Sequence, residues 1–325
     1  MTSDRTYNFA IMGNAVVDAI AHVDDALLAR FSLRKGDSNA VSHSQMVELS
    51  GSVTVEQFRG GGAAANTAYT LARLGSKVAF LGLMGTDPAG RFFAEDMVGA
   101  GVTITPPREG VRTTDVFTLV TPDGARTMVQ SVPPPPSPDD SWVDDNFIEQ
   151  SDYLLIEAYL AGSHPAAAEY AAKVAARAGT RLVLSLASPR AVQGASAMLV
   201  DLAQAYKPLI IGNAAEWDVL VASADAHAAV RINQVEHVLT RSGEGAAYYA
   251  ADGATVVDSP TQPIPKPTDL TGAGDAFAAG FLHVFTGGGS PQLALQQGHQ
   301  LGRAVVLQLG PRLQAMGEAE TAHTD

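Results

Sequence analysis

The chain has 325 residues, 46% of them apolar and 17% charged, which is enough for one large α/β domain with a small appendage. A net charge of −13 leaves no surplus of Lys and Arg to neutralise a phosphate backbone, so nucleic acid is not an expected partner, and the lack of cysteine removes disulfides, thiolate metal sites and cysteine nucleophiles. No apolar run reaches the roughly 18 residues of a membrane span, and Met1–Thr6 is polar without a signal-like core, so a cytoplasmic protein with no membrane contact is expected.

After the short apolar run Tyr7–Met12, residues Ala15 to Val23 read as a strand that carries one carboxylate, Asp18, among uncharged neighbours. Burying it without a partner is costly. Asp18, with Asn14 just upstream, therefore reads as a ligand contact at the mouth of a site; an exposed edge residue is the plain alternative. Ser52 to Phe58 is again strand-like, and Thr113 to Gln130 folds back about Pro122-Asp123-Gly124 as a hairpin. These pieces predict a small β-sheet lid, formed from about 15–58 and 104–131, on a single domain covering 1–325. Arg126, on the second arm of the hairpin, can reach a phosphate when the lid closes, or else is a solvated edge arginine. The run Pro133–Pro136, with Pro138, is extended and stiff and marks the return from lid to core, the alternative being a proline-motif ligand for another protein.

From Lys77 onward, short aliphatic runs alternate with Ala-rich helical stretches, the pattern of a mostly parallel sheet with helices on both faces. The expected strands are Val78–Leu83, Tyr153–Ile156, Leu182–Leu186, Leu209–Ile211 and His237–Thr240. The expected helices lie at Ala89–Gly99, Pro165–Ala178, Ala195–Tyr206 and Ala214–Val221. Near the end, Asp275 to Phe285 sets Phe277, Phe281 and Phe285 on one helical face, and Gln292 to Leu309 reads as a second buried helix.

Four further segments carry chemistry. In Gly61-Gly62-Ala63-Ala64-Ala65-Asn66 the small residues let a flat ligand approach backbone, and Asn66 both donates and accepts hydrogen bonds to a diol. Read as G-x-G-x-x-A from Gly60, the same stretch would be a dinucleotide fingerprint, but no acid follows about 20 residues later on a strand end. Asn213 and Glu216 share the first turn of a helix and, taken alone, read as an N-cap with its capping-box acid. Thr240, Gly243 and Gly245 form a turn after the strand that starts at His237, which by residue type alone leads the chain into a next strand. In Asp269-Leu270-Thr271-Gly272-Ala273-Gly274-Asp275, Gly-Ala-Gly exposes N–H groups at a helix N-terminus, where donors and dipole favour an anion. Asp275 then stands where a carboxylate takes the proton of an attacking hydroxyl, unless it merely caps the helix. The eight histidines show no ligand spacing and read mostly as surface residues.

Asp269 to Phe277 resembles throughout the C-terminal signature of the PfkB, or ribokinase-like, family: Asp, two residues, Gly-Ala-Gly-Asp, a small residue and Phe. Asp18, the glycine pair with Asn66, Asn213-Ala214-Ala215-Glu216 and the Thr240 turn resemble other motifs of that family, in the same order along the whole chain. The resemblance implies a ribokinase-like α/β fold with a β-lid and an ATP-dependent phosphotransferase. Asp275 is then the base, Gly272, Ala273 and Gly274 the anion hole, Asn14, Asp18, Gly61, Gly62 and Asn66 acceptor contacts, Thr240, Gly243 and Gly245 the nucleotide-binding turn, and Asn213 and Glu216 partners of Mg²⁺ through water. ATP and Mg²⁺ are the implied cofactors, a monovalent cation stays open, and the particle is a monomer or homodimer. Gly13-Asn14-Ala15-Val16-Val17-Asp18 and Thr121 to Met128 are similar to the adenosine-kinase-like branch. Adenosine or a close nucleoside is the expected acceptor, with Phe31, Met46 and Phe117 available to pack on a purine or to fill the lid core. After Met128 the chain departs from that branch with Val129-Gln130-Ser131-Val132 and the proline run, and a sugar such as ribose or fructose stays open. Two other classes compete: an NAD-dependent oxidoreductase built on Gly60 to Ala65, and a non-catalytic sugar or nucleoside sensor, which would have no use for Asp275.

Overall fold

The computed structural model describes residues 5–131, 140–224 and 234–313. Its strands are β1 (Tyr7–Met12), β2 (Val16–His22), β3 (Ser38–Val41), β4 (Gln57–Gly61), β5 (Val78–Leu81), β6 (Val102–Ile104), β7 (Thr114–Val120), β8 (Arg126–Ser131), β9 (Ser151–Glu157), β10 (Arg181–Ser185), β11 (Leu209–Asn213), β12 (His237–Thr240), β13 (Gly245–Tyr249) and β14 (Val256–Pro260). They form a nine-stranded sheet in the order β14-β13-β12-β11-β10-β9-β1-β5-β6 and a five-stranded sheet in the order β3-β8-β7-β2-β4. In the large sheet every pairing from β12 to β6 is parallel, and β13 and β14 add an antiparallel edge.

Alternation along the parallel strands decides which helix covers which face. Ala10, Met12, Leu154, Ile156, Leu182, Leu184 and Ile210 pack under the helices Pro165–Ala178 and Pro189–Tyr206. Their neighbours Phe9, Ile11, Leu155, Val183, Leu209 and Ile211 pack on the other side under Ala63–Arg73, Pro88–Gly99, Ala273–Thr286 and Pro291–Val305. The last two helices approach closely because Gly280 and Gly298 face Gln297 and Phe277, where an added Cβ would lie only 2.8 Å from its neighbours. This is the two-faced α/β architecture that the repeating pattern predicts, and the parallel strands all end at one edge.

The second sheet buries one face under the chain's own segment. Ala19, Phe117 and Val129 lie side by side and meet Leu28, Phe31, Met46 and Leu49 from the helices Asp25–Arg30 and His43–Ser52. Phe31, Met46 and Phe117 are thus core residues of this sheet, 8%, 0% and 2% exposed, and are not free to stack on a ligand. Asp18, Val116 and Thr118 occupy the opposite face by simple alternation.

Several boundaries differ from expectation. Ser52 to Phe58 is not one strand: the helix begun by the Ser42 and Gln45 capping box runs to Ser52 because Met46 and Leu49 are buried, and β4 starts only at Gln57. β6 belongs to the large sheet, so the second sheet's later part is the hairpin β7-β8 alone. The Pro189–Tyr206 helix begins six residues earlier than predicted, where Ser188 caps Ala191. The proline run Pro133–Pro136 with Pro138 lies outside the described residues. Among the described histidines only His22 and His43 are exposed; His237 is buried between the rings of Trp217 and Tyr249, with centroids 4.1 and 4.5 Å away.

Candidate active site

The C-terminal ends of the parallel strands carry Gly13 and Asn14 after β1, Glu157 on β9, Ser185 on β10, Asn213 on β11 and Thr240 on β12. Chain order reverses between β1 and β9, and at such a point adjacent loops part to leave a crevice. Glu157 fills its floor. It is 1% exposed and accepts hydrogen bonds from the backbone N–H of Asn14 at 3.1 Å and of Ala64 at 2.9 Å, tying the turn after β1 to the helix that follows the glycine pair. Burial pushes its carboxyl up to about 7 against those two bonds. Gly62 has φ +89 and an added Cβ would sit 2.6 Å from the Asn14 carbonyl oxygen, so only glycine fits there. A Cβ at Gly61 would make ordinary van der Waals contact with Val16, at 3.6 Å from its carbonyl oxygen.

The glycine turn near the C-terminus is built in the same way. Gly272 has φ +81, an added Cβ would lie 2.6 Å from Pro311, and it starts the helix Ala273–Thr286. Above Gly274 there is open space within 4 Å. N–H groups of a first helical turn lack an intrahelical acceptor, and here the Ala273 N–H turns back to the Leu270 carbonyl oxygen at 3.3 Å. Asp275, in the same turn and half-buried, accepts a hydrogen bond from Asn66 Nδ2 at 2.9 Å, while Thr67 donates to its carbonyl oxygen at 3.3 Å. Burial pushes the Asp275 carboxyl up to about 7; Glu157 and Glu216 push in the same direction, and Asn66 and Arg312 oppose them. Asp269 binds the N–H groups of Thr271 and Gly310 at 2.9 and 3.1 Å, bracing the turn.

A cleft runs from Asp275 along the strand ends, lined by Ser185, Asn213, Glu216, Thr240, Gly274 and Asp275. Asn213 and Glu216 form a complete capping box: Asn213 N and Nδ2 donate to the two Glu216 oxygens at 2.8 and 2.7 Å, and Asn213 Oδ1 accepts from Glu216 N at 2.9 Å. Burial holds Glu216 above the usual carboxylate range. Gly243 packs on Pro263 and Gly245 is buried against Ser259 and Pro260, contacts that by themselves account for glycine at both positions. Asp18 accepts from Thr118 at 2.8 Å; burial raises its pKa, opposed by that bond and by the charges of Arg126 and Arg59. The charge of Arg126, on β8, also favours the ionised form of Asp269.

The structure thus brings Asp275, Gly272, Ala273, Gly274, Asn66, Asn213, Glu216 and Thr240 together, with Gly61, Gly62 and Asn14 joined to them through Glu157. Sequence reading passed over Glu157, although a lone acid closing an apolar strand is a visible signal. It also passed over Arg312 and Asp96, for which no local pattern exists.

A doubly covered parallel sheet with a crevice at its C-terminal edge, a second sheet beside it and a glycine-turned helix aimed into the crevice define a ribokinase-like α/β enzyme. Residues 36–316 match the pfkB family of carbohydrate kinases, and the chain belongs to that family of ATP-dependent carbohydrate and nucleoside kinases. It is 25% identical to the 5-dehydro-2-deoxygluconokinase of Photobacterium profundum, over 92% of this chain and 88% of that one. It is 28% identical to the aminoimidazole riboside kinase of Salmonella typhimurium, over 70% and 73%. The solved adenosine kinase from Sinorhizobium meliloti superposes with a TM-score of 0.77 at 28% identity, covering 95% of this chain and 96% of that one.

Proposed function

We propose that the enzyme transfers the γ-phosphate of ATP to a hydroxymethyl group of a nucleoside, with Asp275 as the base. The observation that carries this reading is the Asp275 carboxylate, held by Asn66 at 2.9 Å in the first turn of the helix Ala273–Thr286, with Gly274 and Asp275 lining the cleft. The acceptor hydroxyl gives its proton to Asp275 as its oxygen bonds to the γ-phosphorus. The bond from phosphorus to the β,γ-bridging oxygen breaks, and ADP leaves. A carboxyl pushed up to about 7 is basic enough to help and still ionised in a useful fraction near neutrality. Backbone N–H groups of Gly272, Ala273 and Gly274 receive the charge spread over the phosphoryl oxygens.

ATP then lies along the Asn213 and Thr240 side of the cleft. Both Glu216 oxygens already accept bonds from Asn213, and among the described residues no three of His, Cys, Asp and Glu gather as a metal site. The residues therefore fit Mg²⁺ only through water, with Glu216 anchoring that water from the protein side. When bound, the ion supplies charge neutralisation on the phosphates. Arg126 covers the transferred group from the second sheet, which acts as the lid. A requirement for a monovalent cation is left to measurement.

The acceptor reading rests on the whole-length likeness to the Sinorhizobium meliloti adenosine kinase and on the segment that thickens the lid before the glycine pair. That segment covers the lid's far face with the chain's own helices, which supports a monomer. No described helix is long and apolar enough to cross a membrane, and we place the enzyme in the cytoplasm. A sugar acceptor is favoured by one observation: the face beside Asp18 carries Thr118, Arg59 and Val116 and lacks the aromatic residues expected there, since Phe31 and Phe117 are core. Turnover of ATP with adenosine, other nucleosides, ribose, fructose and acidic sugars decides the matter. A higher kcat/KM for adenosine is expected, and one equal or higher for a free sugar overturns the nucleoside assignment.

A further inference from the structure

Arg312 follows the last helix and is 9% exposed, with its guanidinium inside the protein beside the active site. Its Nε donates to Asn66 Oδ1 at 3.0 Å, one Nη pairs with Asp96, and the other donates to the Gly61 carbonyl oxygen at 3.3 Å. The ring of Tyr69 lies beneath it at 4.9 Å and that of Phe93 at 6.0 Å. Gly60 has no Cβ, and one would collide with this guanidinium. A cation so completely enclosed has a fixed set of directions in which it donates.

Those directions constrain Asn66. A guanidinium can only donate and an ionised carboxylate can only accept, and the Asn66 amide stands between one of each. Only one orientation satisfies both, with Oδ1 toward Arg312 and Nδ2 toward Asp275. Turned over, the amide would face donor to donor on one side and acceptor to acceptor on the other. We infer that Arg312 sets the orientation of the Asn66 amide and, through it, holds the Asp275 carboxylate ionised and aimed at the acceptor. Arg312 is a positioning residue for the reaction proposed above, and the inference rests on that reading. The same contacts explain why the last helix and the glycine pair act on one site: Arg312 links the chain beyond the Pro291–Val305 helix to the end of β4 and to Asp96 on the Pro88–Gly99 helix.

Three charged groups act on Asp275: Glu157 and Glu216, which oppose its ionisation, and Arg312, which favours it; Asp96 faces Arg312. Removing Arg312 frees the amide to present Oδ1 to Asp275, a contact that suits the protonated acid. The test is steady-state kinetics on the full-length enzyme, with ATP and the acceptor of highest turnover, for Arg312→Gln, Asn66→Ala and the double variant, beside Asp275→Asn. Arg312→Gln is expected to lower kcat about tenfold or more, leave the KM for ATP within about twofold, and move the acidic limb of the pH profile to higher pH. In the Asn66→Ala background the same change is expected to cost several-fold less, because only the direct effect of its charge on Asp275 remains. An equal loss in both backgrounds, or an unmoved acidic limb, makes Arg312 merely structural and overturns the inference. Should Arg312→Gln not fold, Arg312→Lys keeps the charge beside Asp96 and lacks Nε; normal kcat in that variant overturns the inference equally. Persistent turnover in Asp275→Asn overturns the base assignment itself, whereas a dead Asp275→Asn beside an unaffected Arg312→Gln sinks only the role of Arg312.

Discussion

Asp275 and Asp18 are both half-buried carboxylates, both raised by burial, yet their surroundings differ in kind. Asp275 belongs to a chain of fixed groups on the large sheet's side, with Asn66 bound to it and Arg312 and Asp96 bound behind. Asp18, on the second sheet, has one hydrogen bond, from Thr118, and feels Arg59 and Arg126 only through their charges. On the proposed reading the contrast separates two tasks. A group that removes a proton during phosphoryl transfer must be aimed before the substrate arrives, because misplacement costs rate directly. A group that binds acceptor hydroxyls gains most when its remaining hydrogen-bonding capacity is completed by the ligand.

The comparison breaks most sharply at Asp275. Asp275→Asn keeps size and the Asn66 contact but cannot accept the proton, so kcat is expected to fall by roughly 10²-fold or more, while ATP and acceptor affinities stay within a few-fold. Rapid-quench or coupled-assay kinetics showing near-normal kcat would end the assignment. Asp18→Ala comes next. Loss of charge-assisted bonds to a buried diol is worth about 2 to 3 kcal/mol, or about 30- to 140-fold in the acceptor's KM, with the KM for ATP hardly changed. Equal weakening of both substrates would show that Asp18 supports the lid and does not touch the acceptor.

The tightly held half was also the easier half to read. Gly272 to Asp275 and the Asn213 and Glu216 box are local devices: a left-handed glycine, a helix start and a carboxyl three residues into it leave their mark within a few positions of sequence. Asp18 was visible as a lone charge in an apolar strand. Arg312 and Asp96 were not visible, because their pairing joins residues 216 positions apart and neither lies in any periodic pattern. The fate of Phe117 depended on register. Pairing of Ala19 with Phe117 puts that ring on the far face from Asp18, and pairing is settled by the whole sheet, not by β7 alone. The edge strand β14 was not foreseen, since Val256–Pro260 is short and pairs with β13 alone.

The smallest expected effect is on stability, and it tests whether a carboxylate fixed for catalysis is a burden to the fold. Burial moves Asp275 from an ordinary 3.8 to about 7, and Glu157 from 4.5 to about 7, so the folded protein holds these protons more tightly than the unfolded chain. Their contribution to stability is full below about pH 4 and is lost as pH rises through about 7. Asn at position 275 has no proton to lose. Asp275→Asn is therefore expected to melt higher than the wild type above pH 7, with the gap closing toward pH 4. Glu157→Gln is expected to go the other way, because one carbonyl oxygen can replace only one of the two acceptors that bind the Asn14 and Ala64 N–H groups. Melting temperatures across pH 4 to 9 read both signs at once. Superimposed curves for Asp275→Asn and the wild type would mean that Asp275 is not strained by its site, and that the difference between the two carboxylates lies in their hydrogen bonds alone.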